Sequence, residues 1–83
     1  MARLRQKVTS IICEEWPNAD NEVGSATIYQ RLVSEGVEVS EDDLRSVLFQ
    51  LADRRNIELA MAPTLLPSQG GMTIRGVRPE LCR

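Results

Sequence analysis

The chain has 83 residues, of which 42% are hydrophobic and 27% charged, and its net charge is −2. Those values describe one small soluble-type domain with a modest core, spanning 1–83. They exclude a domain that would be read as a nucleic-acid binder from excess basic charge alone.

The charge is unevenly placed. Residues 1–13 carry Arg3, Arg5 and Lys7, giving +3. Residues 14–58 carry four basic groups against eleven acids, giving −7, and residues 59–83 carry three arginines against Glu80, giving +2. Two basic ends therefore flank an acidic middle.

No apolar run approaches the length of a membrane span, and the start, Met1 to Arg5, lacks the apolar stretch of a secretion signal. A cytoplasmic location is the expectation. Cys13 and Cys82 are then read as reduced thiols rather than metal ligands or a disulfide. The chain has no histidine, so neither a Cys–His pair nor a Ser–His–Asp triad is available. Gly70-Gly71 is read as a hairpin turn, not a phosphate loop. The reading is of a chain that is not an enzyme, with no cofactor, no metal and no small-molecule substrate.

A first helix is predicted over Ala2–Trp16, with Leu4, Val8, Ile11 and Ile12 as its apolar stripe. Pro17 stops it. Cys13 falls roughly opposite that stripe and should be exposed. A polar loop follows, and Val23 is placed to add a brief strand contact. The second helix runs from Ser25, read as its N-cap, through Glu35. Ile28 and Leu32 form its inner line, Tyr29 and Val33 lie beside them, and Gly36 ends it. Val37–Val39 connects to a third helix capped by Ser40.

On a wheel of ~100° per residue, Leu44, Val47, Leu48 and Leu51 of that helix face the core. Asp42, Ser46 and Asp53 lie opposite. Phe49 and Arg45 lie on one shoulder, Asp43 and Gln50 on the other. Period-two alternation then predicts strands over 57–62 and 72–77. Pro63, Pro67, Gly70 and Gly71 break the segment between them. The domain core is about 3–77, with 78–83 an irregular tail.

This order of three helices and a two-stranded hairpin resembles the winged helix-turn-helix superfamily. The residues that carry the resemblance are the second helix ending in Leu32-Val33-Ser34-Glu35-Gly36, the cap at Ser40, and the stretch Leu48–Leu59. Asn56 stands where the family commonly has glycine and is read as the left-handed residue after the third helix. The fold so implied is α+β: a small winged-helix domain whose hairpin is the wing, with a third short strand near Val23.

The resemblance implies a DNA-binding regulatory protein, acting as a homodimer on double-stranded DNA, with the third helix and the wing on the duplex. The contacts would be Arg45, Ser46 and Gln50 from the helix and Arg75 and Arg78 from the wing, with Arg3, Arg5 and Lys7 as auxiliary charges. The residues themselves pull the other way. The outward centre of the third helix has no cation, and phosphate binding rests on Lys and Arg. Ser40 and the acids Glu41 to Asp43 suit a cap and the helix dipole. The alternative is a protein-interaction module that does not bind DNA and uses Phe49, Leu65 and Leu66. Each of these three has a second reading, as a side chain folded onto the core edge or the hairpin.

Overall fold

The structure is a computed structural model that describes residues 2–62 and 64–82. Pro63, read above as a breaker, lies outside the described residues. The elements in chain order are α1 (Ala2–Glu15), β1 (Val23–Gly24), α2 (Ser25–Ser34), α3 (Glu41–Asp53), β2 (Ile57–Met61) and β3 (Met72–Val77). Single 3-10 turns occupy Trp16–Asn18, Pro67–Gln69 and Pro79–Cys82. This is a small α+β domain of three helices and a three-stranded antiparallel sheet, ordered β1-β3-β2.

The core is what the apolar spacing requires. Val8, Ile11 and Ile12 of α1, Ile28 and Leu32 of α2, and Leu44, Val47, Leu48 and Leu51 of α3 are buried together with Val23, Ile57, Met72 and Ile74. Val23 pairs with Ile74, so the brief strand contact expected there exists. In the hairpin, Ile57 pairs with Val77 and Met61 with Met72, and the register shifts between Glu58 and Leu59. Because Glu58 faces Gly76 while Leu59 faces Ile74, Arg75 is the extra residue of a bulge.

Both internal helix ends are closed by the same device. Gly36 (φ 76°) follows α2, and Val37 N–H donates to the Leu32 carbonyl at 2.9 Å. After α3 the left-handed residue is Arg55 (φ 60°), with Arg55 N–H on Ala52 O and Asn56 N–H on Leu51 O, both 2.9 Å. Asn56 was expected in that role. The hydrogen-bond pattern places the left-handed step one residue earlier, at the position whose own N–H reaches back to the penultimate turn.

Other expectations are corrected. The helical part of α1 ends at Glu15, because Trp16-Pro17-Asn18 tightens into a 3-10 turn. Val33, placed beside the inner line of α2, is half exposed, while Tyr29 on that flank packs on the core. The tail read as irregular contains the Pro79–Cys82 turn, and Leu81 packs on the core.

The cysteines are the largest correction: Cys13 and Cys82 form a disulfide across a sequence separation of 69, not two reduced thiols. The outward angle assigned to Cys13 left it free to meet the returning tail. Ser25 is not a cap either. Gly24 holds the N-cap position, and the Ser25 side chain is fully buried elsewhere. Ser40 caps as read, its Oγ accepting from Asp43 N–H at 3.0 Å.

An ion network ties α1 to α2. Arg31 donates to Glu15 (2.8 Å), to Glu35 (3.2 Å) and to Glu14, and Lys7 engages Glu35. The hydrogen bond from Lys7 holds the Glu35 carboxyl below its usual value of 4.5; burial opposes this and Arg31 assists. A depressed carboxyl contributes stability above its unfolded pKa and loses it as pH falls through the folded one. The melting-temperature gap between wild type and Glu35→Gln should therefore be open at neutral pH and close below about 4.5, in a thermal melt series across pH. A gap that stays constant to acid pH would show that the pair is inert, as many exposed pairs are.

Candidate functional site

The outward side of α3 and the β2–β3 connection form one surface, and the sequence determines how they meet. Ser25 sits at the start of α2 with its hydroxyl between two buried backbone groups. Its Oγ donates to the Pro67 carbonyl at 2.8 Å and accepts from Met72 N–H at 3.1 Å. Ser68 N–H donates to Glu41 Oε2 at 2.9 Å, joining the same connection to the first turn of α3. Gln69 Oε1 accepts from Leu66 N–H, and Ala62 N–H donates to Gly71 O. A Cβ at Gly71 would collide with the Leu65 carbonyl, so only glycine lets the two ends of the connection pass. The connection is thus pinned against α2 and α3 rather than extended away from the sheet.

That pinning sets Leu65 beside α3. Arg45, Met61, Ala62, Leu65, Gly71 and Met72 line one recess. Met61 shares the sheet face of Leu59, being the partner of Met72, and is 49% exposed at the strand end. Phe49 lies one turn beyond Arg45 on the same side of α3 and is 37% exposed. Leu65 and Leu66 are 42% and 44% exposed. Phe49, Leu65 and Leu66 are thus each more than half covered while keeping an exposed apolar part.

Arg45 is the charged member of this lining, and the exposed acids lie elsewhere on α3. Asp42, Asp43 and Asp53 are exposed on α3. Arg45 directs its guanidinium to Asp42 at 3.6 Å. Ser46 and Gln50 are exposed on the outward face.

Apart from Arg45, the basic residues suggested for DNA do not line this recess. Arg3 and Lys7 line a recess with Val37 and Glu38. Lys7 is spent on Glu35. Arg5 lies beside Leu81 and Cys82. Arg78 faces Arg55 across Glu58 and Gly76, next to the end of β3 where the hairpin meets the foot of α3. Arg75 is exposed in the bulge.

No protein-family model matches the sequence, and no similar curated protein or solved structure was found.

The roles of three residues here were not read from the sequence. Met61 was legible as the third large residue of an alternating strand, in phase with Ile57 and Leu59. Ser25 was visible only as a helix start, and Glu41 only as a first-turn acid; their real partners lie 42 and 27 residues away. Among the described residues no group of three or more His, Cys, Asp or Glu is placed to hold a metal, and no helix is long and apolar enough to cross a membrane.

Proposed function

We propose that the chain is a winged-helix module that binds a partner protein, not duplex DNA, through the face made by α3 and the β2–β3 connection. The observation that carries this is the recess in which the exposed Met61 and Leu65 meet α3 at Arg45, with Phe49 exposed one turn further along that helix. The element order and the β1-β3-β2 sheet support the winged-helix reading. In that fold the connection between the last two strands is the wing, and here it is folded back and tipped with leucines.

Duplex binding needs phosphates neutralised by Lys and Arg acting together. The arginines at hand are distributed over separate surfaces, and the α3 face would set Asp42, Asp43 and Asp53 against the backbone. The DNA reading, with Arg45, Ser46, Gln50, Arg75 and Arg78 as contacts, is the competing function. The disulfide-paired form belongs to oxidising surroundings; in a reducing cytosol the chain would carry two thiols and a free tail.

Fluorescence anisotropy with labelled mixed-sequence duplex at low salt, where electrostatic attraction is strongest, decides between the two. The expected result is no saturable binding. Saturable binding that weakens in Arg45→Ala and Gln50→Ala would replace the protein-interaction reading with the DNA one.

A further inference from the structure

We infer that the occupant of the α3 face is a cationic amphipathic segment of a partner polypeptide, with apolar side chains entering the Met61–Leu65 recess and Lys or Arg meeting the α3 acids. This rests on the docking role proposed above and specifies its partner by chemistry.

The apolar part of the surface is already shaped. Ser25, Glu41 and Gly71 fix the connection that carries Leu65. A partner therefore does not have to order that connection before gaining the contact, which removes a common cost of association. The recess offers the exposed parts of Met61 and Leu65, and Phe49 is exposed one turn beyond Arg45 on α3. Methionine adapts to side chains of differing shape. Such an arrangement takes one or two large apolar anchors.

The rim selects the sign of the partner's charge. Asp42 has a 92% exposed side chain beside Arg45, and Asp53 is exposed one turn beyond Phe49 on the same side of α3. Arg45 is the single cation of the α3 segment and is engaged by Asp42. A rim of this kind repels an anionic partner and steers a cationic one. It also argues against a second copy of this chain. A two-fold interface sets this patch against its own copy, and α3, with four acids against one arginine, would then face a helix of the same net charge.

The test uses the full oxidised chain and two synthetic amphipathic helical peptides with one leucine pattern, one faced with lysine and one with glutamate. Amide NMR titration should show the lysine peptide shifting Ser46, Phe49, Met61 and Leu65. Loss of a buried anchor in Phe49→Ala should weaken it about tenfold. Leu65→Ala, outside the helix, should act in the same direction and guards against a local effect on α3. The paired change Asp42→Asn with Asp53→Asn should weaken binding and flatten its salt dependence, while Asp20→Asn, an acid outside the surface, should leave both unchanged.

Equal binding of the glutamate peptide at Phe49 would overturn the cationic partner but keep the docking face. An equal effect of Asp20→Asn would reduce the interaction to bulk charge and overturn the inference. No shift on α3 or at Leu65 with either peptide would overturn the inference and the docking face together.

Discussion

Removing the cross-link by Cys13→Ser with Cys82→Ser should lower stability by about 4 kcal/mol, the loop-entropy value for a cross-link spanning most of a chain this size. The two cysteines are separated by 69 residues in a chain of 83, so the bond restricts nearly the whole denatured ensemble. Domains of this class have total stabilities of roughly 5–15 kcal/mol, so the loss brings a small domain close to its unfolding threshold. In urea the double variant should unfold at a lower midpoint and with a steeper slope, since a denatured chain freed of the cross-link exposes more surface. Wild type treated with a dithiol should reproduce both changes. The folded domain also loses the tether of the Pro79–Cys82 turn to α1, and with it the fixed seat of Leu81 on the core. Identical urea midpoints for the oxidised and reduced protein would show that the pairing adds nothing to stability.

This bond marks the limit of reading by periodicity. The stripes of α1, α2 and α3 and the strand at 72–77 were legible because helical and strand periods assign each apolar residue a side, and the core requires that side. Leu44, Val47, Leu48 and Leu51 are buried as the wheel places them. Periodicity says which way Cys13 points and nothing about what comes to meet it; the partner arrives only after the chain has closed the sheet. The expectation of a cytoplasmic location then led to reduced thiols, an inference about surroundings rather than geometry.

The same limit governs the surface. The shoulder position of Phe49 could be read from the wheel. Whether it stayed exposed depended on where the β2–β3 connection turned, and that is fixed by hydrogen bonds over long separations from Ser25 and Glu41. The acids of α3 had a sufficient local explanation as cap and dipole residues. Ser40 bears out the cap, whereas Glu41 is used at a distance, accepting from Ser68.

Ser25→Ala should be the most damaging substitution of a single hydroxyl in the domain. Ser25 Oγ is the partner of both the Pro67 carbonyl and the Met72 N–H, and Ser25, Pro67 and Met72 are all buried. Removing it leaves one acceptor and one donor unsatisfied, each costing ~1–3 kcal/mol. An estimate of about 2–6 kcal/mol follows, set against a gain of at most ~0.5 kcal/mol from the helix propensity of alanine. A cap lost at this position would cost only ~1 kcal/mol, so urea unfolding separates the two roles by size. A second measurement separates them by place. Hydrogen exchange at the Met72 amide should accelerate in Ser25→Ala, because that amide depends on Ser25 Oγ, while amides in the middle of α2 keep their relative protection. Because Pro67 anchors the segment that carries Leu65 and Leu66, the lysine-faced peptide should also bind this variant more weakly, at a temperature where it remains folded. A variant as stable as wild type, with the Met72 amide still protected, would mean that water satisfies both backbone groups and that the connection holds its place without Ser25.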